Sequence, residues 1–343
     1  MKLTLSTADL ARALRVVGRA VSNGKSHPIL SGVLIEPHQL TAYDLELAIQ
    51  APIVTEASTS GSCVVPYRLL ADITGRLPAD APITLQLDPS GTRMELVTAG
   101  GSYSLAVSPA EDYPALPPVD AAAGASVDLS GALEAVLVAA SADSAKQMLT
   151  GVHMAADGTE LRLLATDGHR LAIRALPCDA APFEATIPAR TLAQVRQPAR
   201  FAFAAGQVAI TLADGTRMVS RTLDGTYPDA QALIPASFKH SCIINREALL
   251  AAVERVAITS GNGVVKLTTD DSSLTVAAES DASSGMESLS IDGDLPPLAF
   301  NARYLADGLR GFDDPEVTIC ANGATTPVVI GHTYLVMPVQ IRQ

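Results

Sequence analysis

Tryptophan is absent from this 343-residue chain, and aromatic residues make up only 4% of it. A platform that binds single strands by stacking bases on rings needs more than that. Cysteine is also scarce. Cys63, Cys178, Cys242 and Cys320 lie far apart, and none belongs to a CxxC pair or a Cys/His cluster at zinc spacing. They read as buried or incidental thiols in a reducing compartment. Neither GxGxxG nor GxxxxGKS/T occurs, so nucleotide hydrolysis has no visible machinery, and no cofactor, metal ligand or catalytic residue is expected. No stretch of 18 apolar residues could cross a membrane. The opening Met1-Lys2-Leu3-Thr4-Leu5 lacks the apolar run of a secretory signal, so a soluble cytoplasmic protein is expected. Positive charge is the last shortage: 24 Lys+Arg face 36 Asp+Glu, a formal net of −12. Phosphate contact dominates affinity for nucleic acid, so this balance argues against tight, static binding to DNA.

Apolar residues make up 48% of the chain, enough for sizeable cores without disulfides or metals, and the length suits two or three domains. Four features then recur three times in the same order, which points to internal repeats. The first is an amphipathic helix. Ser6-Thr7-Ala8-Asp9 reads as a capping box, followed by Leu10, Leu14, Val17 and Val21 at helical spacing. A second copy starts near Ser130 with Leu133, Val136, Leu137 and Ala140, and a third near Asn245 with Leu249, Leu250, Val253 and Val256. Next come two strands around an acidic turn: LTAYDLELAI (40–49), LLATDGHRLAI (163–173) and LTTDDSSLTVA (267–277). Asp44, Asp167 and Asp270 occupy the turns, 123 and then 103 residues apart. A short second helix follows at 66–78, 188–200 and 301–314, with proline in front of two copies. A closing strand ends each copy: YSLAVSP (103–109), RMVSRTL (217–223) and TYLVMPV (333–339). Many short strands with two helices per copy imply an α+β unit whose helices cover one face of a sheet. Boundaries at the Pro/Ala-rich stretch 114–125 and around Pro235–Ser241 divide the chain into 1–120, 125–237 and 238–343.

The arginines have a pattern of their own. Arg12, Arg15 and Arg19 lie at i, i+3 and i+7, opposite the apolar stripe of the first helix. Arg68, Arg190 and Arg303 share one register in the second helices, and Arg76, Arg196 and Arg310 recur further along them. An acidic chain that repeats arginine on its helix faces can concentrate positive potential on one surface. A merely solvated helix face would carry the same residues, and the opening helices of copies two and three do not repeat the basic stripe.

The segments HPILSGVLIE (27–36), LTAYDLELAI, EDYPALP (111–117), TDGHRLAI (166–173), TYPDAQALIP (226–235), FNARYLADGL (300–309) and TYLVMPVQI (333–341) resemble the bacterial DNA polymerase III beta subunit, the sliding clamp family. The resemblance covers essentially the whole chain, and TDGHRL with the near-terminal VMP is its most specific part. It implies three tandem DNA-clamp domains in a head-to-tail homodimer, with helices lining a ring interior and antiparallel sheets outside. The ring would surround double-stranded DNA without regard to sequence. Its dimer interface would fall on Tyr103, Leu105, Ile258 and Thr259, and its DNA contacts on the arginines above together with Lys25 and Lys146. Met148 stands where the family can carry an aromatic DNA contact. A groove for one linear peptide motif would be shared by the replicative polymerase catalytic subunit, the clamp loader, repair polymerases and mismatch-repair proteins. The matching residues are Leu149, Thr166, Gly168, His169, Arg170, Leu171, Pro228, Leu233, Asn301, Tyr304, Leu335, Val336, Met337 and Pro338. Their apolar members make an adaptable surface, while Arg170, Asn301 and Tyr304 can satisfy peptide backbone groups. Ala232, where the family can carry a basic residue, and the Arg342-Gln343 tail bear on partner preference.

His169 beside Asp167 invites a catalytic reading. Asp-Gly is first a turn signal, however, and no nucleophile is tied to the pair by a motif. Asp44, Asp167 and Asp270 belong one to each repeat, which does not offer the clustered carboxylates of a two-metal polymerase site. Two other readings stay open: a clamp paralogue serving repair or regulation, and an enzyme that uses the groove for a small ligand.

Overall fold

The computed structural model describes residues 1–119, 125–129, 131–204 and 206–340. Ser130, where the repeat places the start of the second opening helix, and the Arg342-Gln343 tail lie outside the described residues. Two compact units are present, one of residues 1–128 with 197–222 and one of residues 129–196 with 223–343.

In chain order the first unit contains β1 (Lys2–Ser6), α1 (Thr7–Val17), β2 (Gly32–Glu36), β3 (Gln39–Tyr43), β4 (Leu47–Pro52), β5 (Ala57–Ser58), β6 (Cys63–Pro66), α2 (Tyr67–Thr74), β7 (Pro82–Leu87), β8 (Arg93–Thr98), β9 (Gly101–Ala106), β10 (Ser108–Pro109) and β11 (Ala125–Val127). The second unit takes α3 (Ala132–Leu137), β12 (Gly151–Ala156), β13 (Glu160–Thr166), β14 (Arg170–Pro177), β15 (Phe183–Pro188) and α4 (Ala189–Leu192). The chain then returns to the first unit for β16 (Ala199–Ala204), β17 (Gln207–Leu212) and β18 (Arg217–Arg221). It ends in the second with β19 (His240–Asn245), α5 (Arg246–Ala257), β20 (Val264–Asp270), β21 (Ser273–Glu279), β22 (Ser284–Gly293), β23 (Leu298–Asn301), α6 (Ala302–Arg310), β24 (Glu316–Ala321), β25 (Val328–Ile330) and β26 (Tyr334–Val336).

The first unit has a sheet of order β5-β1-β7-β8-β9 and another of order β10-β6-β2-β3-β4-β18-β17-β16-β11. The second sheet is continuous because β4 pairs with the distant β18, Ala48 opposite Val219. On one face, Tyr43, Ala48, Ala209 and Val219 are covered by Tyr113 and Val119 from the segment after β10. The second unit holds one run of order β15-β12-β13-β14-β26-β25-β24-β19-β22-β21-β20-β23, joined where Leu171 of β14 faces Leu335 of β26. Among the described residues every strand pair is antiparallel, as suits short alternating strands linked by tight turns.

The helices follow their local signals. Ser6 caps α1 by accepting from the Asp9 amide, and its hydroxyl donates to the Asp9 carboxylate. Leu10, Leu14 and Val17 are buried, whereas Val21 falls beyond the helix end. Asn245 caps α5, with Leu249, Val253 and Val256 inward. The second opening helix is shorter than its apolar spacing predicts: α3 stops at Leu137, so Ala140 lies past it and Ala139 is the residue buried there. Pro66 and Pro188 stand at the N-cap positions of α2 and α4, one place earlier than a first-turn proline. The third acidic turn also differs, since Asp270 closes β20 and Asp271 takes the corner at φ +50°.

Candidate functional site

The segment Thr166–Arg170 is the hinge of the site. Asp167 Oδ1 accepts from the amides of His169 (2.8 Å) and Arg170 (3.1 Å), folding the chain back on itself. Gly168 takes φ +92°, a conformation that favours glycine. Thr166 is buried with its hydroxyl donating to the Arg170 carbonyl (2.6 Å) and accepting from the Gly168 amide (3.1 Å). The Asp167 carboxylate therefore serves its own turn rather than the His169 ring, which stacks beside Tyr304 with centroids 6.4 Å apart.

Arg170 leaves this turn pointing inward and is only 6% exposed. Its Nε donates to Asp167 Oδ2 (3.0 Å) and its Nη1 to Asp307 Oδ2 (2.8 Å), and its guanidinium lies 4.2 Å from the Tyr304 ring centroid. A buried cation needs such partners. Nε and Nη1 of Arg170, expected to offer donors to a peptide backbone, are turned to the two carboxylates, so the residue braces this turn from within. Asn301 is similarly committed, its Oδ1 capping α6 by accepting from the amides of Arg303 and Tyr304. The Tyr304 carbonyl accepts from the buried Tyr334 hydroxyl (2.8 Å).

An apolar cluster lies beside this brace. Leu171, Ala230, Val329 and Leu335 are buried together, with Leu164, Ile173, Ile234, Phe238 and Met337 half-buried around them. Leu233 is 60% exposed at its margin, and Pro228 is exposed on the same segment. The Met337 amide donates to the His169 carbonyl (2.8 Å), so the chain after β26 stays against the turn, with Pro338 half-buried next in sequence. Val336 is fully buried, and because successive strand residues alternate its side chain lies on the opposite face of β26 from Leu335. Leu149 is half-buried in the turn Gln147–Thr150, outside the Leu171 cluster. Sequence reasoning missed Ala230, Ile234, Phe238 and Val329, although the apolar residues of TYPDAQALIP between its prolines were a usable signal. Along the polar side runs a cleft of about 570 Å³ lined by Lys146, His169, Arg170, Arg303, Tyr304 and Asp307. Below the groove the Tyr227 hydroxyl accepts from the Thr166 amide (3.1 Å), and burial pushes that phenol up to about 12.

The expected DNA-contacting residues are mostly exposed. In the first unit, Arg15, Arg19, Lys25, Arg68 and Arg76 are exposed, while Arg12 is partly turned back to the Pro52 carbonyl (3.0 Å). In the second unit, Arg190, Arg196, Arg303, Arg310 and Lys146 are exposed. Acids temper this set: Arg196 pairs with Glu134, and Arg310 with Glu254 and Asp307. Lys146 Nζ donates to the Asp167 carbonyl (3.2 Å), linking the 141–150 loop to the turn. Met148 packs against Gly225.

Among the expected interface residues, Tyr103 is exposed on β9, the end strand of its sheet, and Ile258 is 83% exposed after α5. Leu105 differs. Its side chain is 3% exposed and belongs to its own core, leaving its backbone for the edge. The Thr259 hydroxyl donates internally to Val256 and Ala278 carbonyls. The four thiols are buried, and burial pushes Cys63 up to about 11 and Cys242 up to about 12, so neither is a thiolate nucleophile at neutral pH. Among the described residues no group of three His, Cys, Asp or Glu could hold a metal, and no helix is long and apolar enough to cross a membrane.

Comparison with known proteins agrees along the whole chain. The DNA polymerase III beta subunit N-terminal domain matches residues 1–117, the central domain 125–229 and the C-terminal domain 231–339. The beta sliding clamp of Synechococcus elongatus is 34% identical over 376 residues, covering all of both chains. The DNA polymerase sliding clamp from Bacillus subtilis matches with a TM-score of 0.90 at 24% identity, covering all of both chains. The sliding clamp from Bartonella birtlesii bound to griselimycin matches with a TM-score of 0.87 at 27% identity, over 99% of this chain and 100% of that one. The fold is thus that of three tandem clamp domains of mixed helix and sheet. The chain belongs to the DNA polymerase III beta subunit family, the beta sliding clamps, whose place in DNA replication is that of a polymerase processivity factor.

Proposed function

We propose that two copies of this chain, each divided into domains near 1–120, 125–237 and 238–343, close head to tail into a ring around duplex DNA. The ring slides in the cytoplasm and tethers the replicative polymerase catalytic subunit, the clamp loader, repair polymerases and mismatch-repair proteins through the groove beside Leu171. The chain is a non-catalytic accessory subunit, and nucleotidyl transfer belongs to the polymerase it holds. The observation that carries the reading is the groove itself: an apolar cluster with exposed Leu233 and Pro228, braced by a buried arginine, next to an open polar cleft. Griselimycin, which the Bartonella protein holds, is the probe expected to bind there.

Two features support ring closure. Among the described residues β9 ends its sheet, and the Ser284–Leu289 part of β22 pairs only with β21. Beside that second edge lie exposed Ile258 and Met286, with Thr259 against Gly285, an apolar patch of the kind that marks an interface. An unpaired edge next to such a patch is protected by pairing with another chain. Net acidity fits a ring, because linkage to DNA replaces tight phosphate binding. The test is retention on circular duplex DNA after loading with a clamp loader and nucleotide, before and after the circle is cut. Retention on the circle with loss from linear DNA is expected. Equal retention on both would overturn encirclement.

A further inference from the structure

Asp307 occupies an unusual position on α6. Arg303 lies four residues before it and Arg310 three residues after it, so all three share one helical face. Its Oδ1 accepts from Arg310 Nη1 (2.9 Å), and its Oδ2 accepts from Arg170 Nη1 (2.8 Å) with Arg303 Nε at 3.7 Å. One carboxylate thus serves the groove's buried brace and two arginines that face solvent, Arg303 with 81% and Arg310 with 51% of its side chain exposed. Asp307 also lies in the wall between two clefts. One, of about 570 Å³, contains Arg303 and the groove residues His169 and Tyr304; the other, of about 540 Å³, contains Arg310. Among their lining residues only Val138 and Asp307 are common to both.

We propose that Asp307 is a positioning residue that couples DNA occupancy to the affinity of the peptide groove. The inference rests on the proposed function, in which Arg303 and Arg310 meet phosphates. A phosphate beside either arginine competes with Asp307 for it. Asp307 then has less positive charge to share and holds Arg170 more tightly. Arg170 lies over Tyr304, so the polar side of the groove becomes better ordered and a groove ligand binds more strongly. By linkage the same ligand strengthens DNA contact by an equal factor. The shared arginines are exposed and screened, which puts the coupling at or below the weak end of the usual range, about two- to fivefold. Raised ionic strength reduces it toward unity.

The experiment measures griselimycin affinity of the full-length protein by calorimetry at low salt, with and without saturating 20-base-pair linear duplex. Wild type is expected to bind griselimycin about two- to fivefold more tightly with duplex present. Asp307→Asn is expected to bind both ligands with a ratio of one. The double variant Arg303→Gln/Arg310→Gln alters only exposed side chains and keeps the Arg170–Asp307 pair, so it serves even if Asp307→Asn folds poorly. At a duplex concentration raised to saturation its ratio is also expected to be one. A wild-type ratio of one, or a wild-type ratio kept in either variant, overturns the coupling and leaves the proposed function standing. Failure of the wild type to bind griselimycin would remove the proposed groove, and the coupling with it; failure to bind duplex would overturn the coupling alone, since encirclement needs no tight phosphate contact.

Discussion

Arg170→Ala is the substitution whose consequence the structure fixes most closely. It removes a guanidinium that two carboxylates and an aromatic ring surround, and leaves Asp167 and Asp307 with side chains only 12% and 13% exposed. Removing one partner of a buried pair costs about 3–5 kcal/mol, because the remaining charge is left in a poorly hydrated place. Two circumstances favour the lower end. Asp307 keeps Arg310 at 2.9 Å, and Asp167 keeps the amides of its own turn. A loss of about 3 kcal/mol in a unit of this size lowers Tm by about 6–12 °C. Scanning calorimetry should show that fall in the transition of the unit containing the groove, together with weaker griselimycin binding. The triple variant Arg170→Met/Asp167→Asn/Asp307→Asn removes the unpaired charges along with the cation, and should recover much of the lost stability. A single variant within 2 °C of wild type, or a triple variant no better than the single, would refute the account of Arg170 as a brace.

Two further substitutions separate binding from folding. Leu233 is largely exposed, so Leu233→Ala should leave stability within about 0.5 kcal/mol while weakening griselimycin roughly tenfold; unchanged affinity would remove Leu233 from the groove. His153 stacks on Tyr227 at 5.1 Å, and burial holds its imidazole below the usual 6.5 despite Glu184 nearby. The unfolded chain therefore takes up this proton first, so the stability that neutral His153 contributes is present above about pH 6.5 and is lost as pH falls toward the lower folded value. His153→Gln should show a smaller loss of Tm between pH 7.5 and pH 5.5 than wild type, and an identical loss would count against the assignment.

Local features of the fold were readable because each has a short-range cause. The Ser6 capping box, the apolar stripe of α1, the Asn245 cap and the Asp44 and Asp167 turns depend on residues three or four apart. Face assignment in β26 had no alternation to draw on. Tyr334, Leu335 and Val336 are all buried, so no polar residue in β26 marks which side faces the groove. The role of Arg170 was hidden for a different reason: its second carboxylate is 137 residues away, and the pairing exists only once β14 meets β26. The length of α3 was misjudged because apolar spacing persists past Leu137, where the backbone leaves the helix.

The pairing of β4 with β18, and of β14 with β26, also sets an order of assembly on a chain made from its N-terminus. When β18 emerges, its partner β4 has long been available, so the nine-stranded sheet can close around Ala48 and Val219 well before synthesis ends. β14 has no such luck: its neighbour begins at Tyr334, and Leu171 waits 164 residues for Leu335. Until then the strand carrying Arg170 and Leu171 has an open edge, the kind that invites pairing with another chain. The groove is therefore complete only once Tyr334–Val336 have emerged, and a chain stalled before Tyr334 would lack its β26 wall.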